Sequence, residues 1–388
     1  MTSSSPESAG SGSRHPYETL TPDAVLDALA AVGLHGDGRL MALSSYENRV
    51  YQARLEDGTT VVAKFYRPGR WSDAQILEEH AFAAELMDAE VPMVGPLALA
   101  AADGRGGAPA TLHHHAGFAF SVSPSRGGRR PELDDFEVLE WTGRFLGRMH
   151  AVGAARPFVH RPALDLGTFG TASRDWLLDH AMVPLDVQGS WRQACDLALD
   201  SIAAHEGRMR TGGLFDANGT APPAPPANDF PPDDDADGED GDGPPDGPPP
   251  MRRIRLHGDC HPGNILWTPT ELPGGGPHFV DLDDARTGFA VQDLWMLLSG
   301  DRAQRTAQLS ALLDGYEQFR SFDRRELALI EPLRTLRLIH YSAWLARRWD
   351  DPIFPINFPW FGSSDYWRGQ VRMLEEQVEA MAEEPLYA

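Results

Sequence analysis

The chain has 388 residues, enough for two lobes with sizeable cores, and a formal net charge of −23, which argues against a nucleic-acid-binding surface. Its two cysteines, Cys195 and Cys260, are too few for a disulfide framework and suit a reducing cytoplasm. No apolar run is long enough to cross a bilayer. Residues 1–16 are rich in Ser and Gly and read as a disordered tail rather than a signal peptide. Thr21-Pro22-Asp23 starts a helix, with Val25, Leu26, Leu29 and Val32 as its apolar face and Gly33 at its end. Strands follow at 49–55 and 59–65, joined at Glu56-Asp57-Gly58. The second ends near Lys64, a lone lysine in an apolar strand that is costly to bury without an anionic partner.

Residues 71–89 form the next helix and carry Glu78 and Glu79. Segments 97–102 and 118–122 read as strands. Between them His113-His114-His115 is expected in an exposed hairpin loop, since three adjacent histidines on a strand cannot share one metal. Gly127-Gly128 is a flexible link to a helix over 136–150, where His150 is expected to be buried and structural. Amphipathic helices continue over 176–209. Residues 212–250 then break every pattern with Pro-Pro repeats and glycines. The stretch 211–251 holds ten carboxylates and no Lys or Arg, leaving −13 for the rest of the chain. Such a segment cannot offset its ordering entropy by burial and is expected to be disordered.

The most informative stretch is Leu256-His-Gly-Asp-Cys-His-Pro-Gly-Asn-Ile-Leu-Trp267, followed after a turn by His278-Phe-Val-Asp-Leu-Asp-Asp284. Ile265–Trp267 and His278–Val280 read as two strands of a hairpin around Pro273-Gly-Gly-Gly-Pro277. An antiparallel hairpin sets the residue before its first strand, Asn264, beside the residue after its second, Asp281. These are two oxygen ligands for a hard divalent cation such as Mg²⁺. Asp259 lies just upstream, where it can accept a proton from an attacking hydroxyl. A base beside a two-ligand Mg²⁺ site is the minimum apparatus for phosphoryl transfer from ATP. Cys260 reads as a small packing residue. Farther on, Asp293 is placed to cap a helix starting at Val291, and helical spacing returns over 303–319 and 324–348. The aromatics from Trp344 to Trp367 read mostly as core, with an aromatic-walled acceptor groove as the alternative.

These motifs resemble the aminoglycoside phosphotransferase and choline kinase superfamily. Together with Ser45-Tyr-Glu-Asn-Arg-Val-Tyr51, Lys64-Phe-Tyr-Arg-Pro68 and Val280-Asp-Leu-Asp-Asp-Ala-Arg286, they are similar to the stress response kinase A family of bacterial Ser/Thr protein kinases. The resemblance implies an α+β, bilobal, protein-kinase-like fold, with an ATP-binding N-lobe over 17–125 and a helical C-lobe over 126–388 interrupted by the acidic insertion. It implies ATP and Mg²⁺ as cofactors, Ser45 as a phosphate contact, Lys64 on the α/β-phosphates, and Glu79 as the partner of Lys64, with Glu78 the alternative. Asp259 and Asp281 would be catalytic, Asn264 and Asp281 would hold metal, and His257 and Asp293 would support the loop. Ser44 to Asn48 replaces the usual Gly-rich phosphate loop, and Gly258 stands where protein kinases carry an arginine that senses a phosphorylated activation loop. The expected partners are protein substrates carrying Ser or Thr, basic ones among them, or the chain itself; the chain is expected to be monomeric, bound neither to nucleic acid nor to membrane. A small-molecule kinase of aminoglycoside, choline or homoserine type and a non-catalytic nucleotide-binding scaffold are the other classes.

Because loop-closure entropy grows slowly with length, the insertion should cost only about 1–2 kcal/mol relative to a short turn. Deleting Gly219 to Pro249 is therefore expected to leave the melting temperature equal or slightly higher, and turnover of a small uncharged acceptor unchanged. A deletion that unfolds the protein would show the segment to be structural.

Overall fold

In the computed structural model, residues 15–102, 108–209 and 251–388 are described. Most of the expected N-terminal tail and the whole acidic insertion at 212–250 lie outside the described residues. Helix α1 (Pro22–Ala31) opens on Thr21, whose hydroxyl accepts from Ala24 N at 3.2 Å, with Pro22 at the first position. Strands β1 (Gly36–Ala42), β2 (Arg49–Leu55) and β3 (Thr60–Phe65) come next, then α2 (Asp73–Asp88), β4 (His113–His115) and β5 (Phe118–Pro124). They build an antiparallel sheet in the order β1-β2-β3-β5-β4. Alternation along β3 puts Val61, Ala63 and Phe65 on the buried face, against Val25 and Leu29 of α1.

Two expectations fail in this lobe. Residues 97–102 form no strand: Leu99 bridges to Ala110 and Leu97 N donates to Val122 O, but no ladder follows. The segment is leucine and alanine alone, with none of the β-branched or aromatic side chains that favour strands. The three histidines, expected in a loop, are β4 itself. Ala116 (φ 48°) and Gly117 (φ 86°) form a two-residue turn with both central φ positive, the geometry that closes a tight hairpin.

The second lobe contains α3 (Phe136–Gly153), α4 (Ala172–Asp179), α5 (Leu185–Met209), β6 (Ile254–Leu256), β7 (Ile265–Thr268), β8 (Gly276–Phe279), β9 (Arg286–Gly288), α6 (Val291–Trp295), α7 (Arg302–Tyr316), α8 (Ile330–Ala346), α9 (Ile353–Asn357) and α10 (Ser364–Ala382). β6 pairs with β9 and β7 with β8, both antiparallel. Helices α3 and α7 approach until a Cβ on Gly143 would lie 2.0 Å from Leu312 O and one on Gly147 2.4 Å from Tyr316 O, so only glycine fits there. The core gathers Leu139, Leu146, Met149, Trp191, Leu312 and Trp367. It also takes in Phe82 and Leu86 of α2, so the first lobe's helix buries its apolar face in the second lobe. The result is an α+β bilobal fold. No described helix is long and apolar enough to cross a membrane.

One local expectation is corrected here. Asp293 does not cap α6; Ala290 occupies that position without a side-chain cap, and Val291 N donates to Glu326 Oε2 at 2.9 Å. Burial pushes the Glu326 carboxyl up to about 8. Asp293 is engaged elsewhere.

Candidate active site

The loop from His257 to Asn264 connects β6 to β7, and its start hangs on Asp293. Asp293 Oδ2 accepts from His257 N and Oδ1 from Gly258 N, each at 2.8 Å. His150 Nε2 lies 3.0 Å from Oδ2, and its other ring nitrogen 3.0 Å from Tyr316 Oη. Gly258 has φ +82°, and a Cβ there would stand 2.2 Å from Asp284 O, so no arginine could occupy this position. His257 Nε2 donates to Val280 O at 3.0 Å, tying the loop to the far strand of the hairpin. Asp259 O then accepts from His261 N and Asn264 Nδ2, both at 2.9 Å. Asp293→Ala would leave two buried N–H donors and His150 without their acceptor. A loss of about 3–5 kcal/mol is expected, read as an earlier midpoint in urea denaturation. A midpoint equal to wild type would contradict this role.

The hairpin pairs Ile265 with Phe279, and Val280 N donates to Asn264 O at 3.0 Å. Asp281 follows in the left-handed region (φ 64°, ψ 71°), which Asp tolerates better than most residues. Its carboxylate is 48% exposed and lines the interlobe cavity with Asn264. Because Asn264 Nδ2 donates to Asp259 O, the amide oxygen is turned away, and it accepts no hydrogen bond among the described residues. An amide oxygen and a carboxylate at one cavity wall suit a hard divalent cation.

Lys64 projects from β3 into the same place. Nζ lies 2.9 Å from Asp281 Oδ1, 3.1 Å from Asp283 Oδ1 and 3.7 Å from Glu79 Oε1. Burial opposes its charge, but the three carboxylates outweigh burial and raise its pKa well above that of an ordinary lysine. Glu79, not Glu78, faces Lys64; Glu78 instead accepts from the backbone N–H groups of Val159, His160 and Arg161. Burial raises the Glu79 carboxyl, opposed by Lys64 and Arg161.

Asp283 and Asp284 are held by arginines. Arg70 Nη1 lies 2.6 Å from Asp283 Oδ2, and Arg70 Nη2 lies 2.8 Å from Asp284 Oδ1, which Arg286 also contacts at 2.7 Å. Burial works against ionisation of Asp283, yet Arg70 and Lys64 bring it down to about 2. Sequence reasoning missed these arginines, and Arg161 as well. Arg161 is buried and donates to Ala285 O, Asp283 O and Gln75 O, pinning the segment after Asp281 to α2. Arg70 and Arg161 carry no local motif, because their partners Asp283, Asp284 and Ala285 lie more than a hundred residues along the chain.

Asp259, Asn264, Asp281, Asp283, Asp284 and Arg70 line a cavity of about 490 Å³ between the lobes. Ser44 and Ser45 line it from the β1–β2 connection. In the same connection Glu47 is a buried hub. Arg67 Nε and Arg70 Nη1 each lie 3.1 Å from its carboxylate, and Arg348 Nε approaches to 2.5 Å. Trp344 Nε1 donates to Glu47 Oε2 at 2.6 Å. Asp351 receives Arg49 and Arg67 at 2.9 and 2.7 Å. Opposite, Arg337 Nη2 of α8 meets Asp259 Oδ1 at 2.6 Å. Burial pushes the Asp259 carboxyl up, but the hydrogen bond with His261 and the Arg337 charge outweigh it and hold it below the ordinary value.

Residues 39–330 match the phosphotransferase enzyme family. Stress response kinase A of Escherichia coli (strain K12) is 42% identical over 370 residues, covering 95% of this chain and 96% of the relative. The chain belongs to the stress response kinase A family of phosphotransferases. A second member, from Salmonella typhimurium (strain LT2), is 42% identical with the same coverage and bears the name serine/threonine protein kinase RdoA. Among solved structures, amicoumacin kinase hAmiN in complex with AMP-PNP, Ca²⁺ and Ami superposes with a TM-score of 0.62 at 16% identity, covering 94% of both chains. That likeness shows the aminoglycoside phosphotransferase-like kinase fold, and family membership makes the chain a kinase.

Proposed function

We propose that this kinase transfers phosphate from ATP, with Mg²⁺, to Ser or Thr hydroxyls of protein substrates in a bacterial stress response. The observation that carries the reading is the convergence of Asp259, Asn264 and Asp281 on one interlobe cavity, with Lys64 Nζ 2.9 Å from the Asp281 carboxylate. A relative bearing a serine/threonine protein kinase name at 42% identity over nearly the whole chain favours a protein acceptor. Lys64 and the backbone around Ser45 would hold the phosphates, with Glu79 keeping Lys64 in place. Asn264 Oδ1 and the Asp281 carboxylate would hold the cation, which supplies charge neutralisation at the phosphate oxygens. Asp259 orients the acceptor hydroxyl and takes its proton. Asp293 and His257 hold the loop so that these groups face one point. The acidic net charge of −23 favours basic proteins as acceptors, and the chain itself is a further acceptor to test.

The test is transfer of radiolabel from ATP to the protein itself, to a basic protein and to a panel of small alcohols, with and without Mg²⁺. Label on Ser or Thr of a protein supports the proposal. Label confined to a small alcohol would make the chain a small-molecule kinase, and binding of ATP without transfer would make it a scaffold.

A further inference from the structure

We infer that Arg337 is a positioning residue for the transfer step, aiming the Asp259 carboxylate at the acceptor hydroxyl; this rests on the function proposed above. The backbone of the catalytic loop is held by several bonds: Asp293 takes its first two N–H groups, and Asp259 O receives His261 N and Asn264 Nδ2. The Asp259 side chain has far less support. Its one short bond comes from Arg337 Nη2, 2.6 Å from Oδ1. Asn264 Nδ2 and His261 Nε2 stand 3.4 and 3.5 Å from Oδ2. Charge-assisted bonds to a carboxylate are the strong, orienting ones. With Oδ1 fixed by Arg337, Oδ2 is the oxygen left to meet the hydroxyl proton, on the side where Asn264 faces the cavity.

A second observation separates aiming from packing. The Arg337 side chain is 38% exposed and that of Asp259 19%, unlike the buried ion pairs of Arg70 and Arg161. The arginine end of this pair reaches water, so the pair contributes less to stability than those two. Its value lies in geometry. Arg337 also shares one face of α8 with Tyr341 and Trp344, at positions i, i+4 and i+7, and all three line the cavity. The Tyr341 and Trp344 rings stack with centroids 5.8 Å apart. An acceptor lying along that face reaches Arg337 and Asp259 together.

The experiment compares Arg337→Gln and Arg337→Lys with wild type in three measurements: Mg-ATP affinity by calorimetry, thermal melting, and steady-state transfer to the best acceptor found. Misaiming a reacting group by about 1 Å costs on the order of 100-fold, so Arg337→Gln should lose kcat on that scale. Its Mg-ATP Kd and melting temperature should stay at wild-type values. Arg337→Lys keeps a charge and a donor and should recover part of the rate. Wild-type kcat in Arg337→Gln would overturn the inference. So would a loss expressed in Mg-ATP affinity, or a fall in melting temperature that accounts for the lost rate in both variants. A wild-type protein that transfers phosphate to no acceptor would instead remove the proposed function, and this inference with it.

Discussion

Asp281→Asn should lower turnover by roughly 10³-fold or more while leaving the protein folded. Asparagine keeps the shape and one oxygen but removes the charge of Asp281, whose side chain is 48% exposed and lines the cavity with Asn264. A cation that neutralises transferring phosphate contributes several kcal/mol to the transition state, and each 1.36 kcal/mol is about tenfold in rate. The fold should tolerate the change for two local reasons. Asparagine enters the left-handed region as readily as aspartate, so φ 64° at this position carries no new strain. Lys64 also retains Asp283 at 3.1 Å and Glu79 at 3.7 Å, so its charge stays compensated. Steady-state kinetics alongside a circular dichroism melt test both halves. Wild-type turnover in a folded Asp281→Asn protein would end the metal assignment.

Asp259→Ala is expected to cut kcat by about 10²–10⁴-fold, the usual range for removing a general base, with Mg-ATP affinity near wild type. The split follows from the geometry. The Asp259 carbonyl, which receives His261 N and Asn264 Nδ2, is backbone and survives the substitution. Lys64 and Ser45, the groups proposed to hold the phosphates, belong to the other lobe and make no direct bond to Asp259 among the described residues. Arg337 loses a partner but remains open to water, so its unpaired charge costs little. If Mg-ATP binding collapsed while kcat held, Asp259 would belong to the nucleotide site instead.

What could be read from the sequence was whatever is decided over a few residues. The Thr21 cap, the β2–β3 hairpin, and the hairpin that puts Asn264 and Asp281 at one wall all follow from local turn chemistry and alternation. Local signals also misled. Residues 97–102 open on a Leu-Ala alternation, yet they hold no β-branched or aromatic residue and make only the isolated bridge of Leu99 to Ala110. Asp293 sits in a capping position by sequence, but both its oxygens are taken by the backbone of a loop some 35 residues earlier. Glu79 and Glu78 are chemically alike and adjacent; only the rotation of α2 decides that the first meets Lys64 and the second meets the backbone at 159–161. Arg161, Arg337 and Arg348 carry no motif at all, because an ion pair closed across the fold leaves no spacing to detect.

The Glu47 hub bears on how this chain can be divided or recombined. Cut near residue 125, the first fragment would keep Glu47 with Arg67 and Arg70 but lose Arg348 and Trp344, while Arg49 and Arg67 would lose Asp351. The same cut would turn Phe82 and Leu86 of α2 out into water. The first lobe is therefore not an autonomous module. A chimera that borrows its cavity-facing loop for another relative's second lobe would have to import Trp344, Arg348 and Asp351 with it, since Glu47, Arg49 and Arg67 each find part of their buried pairing only there.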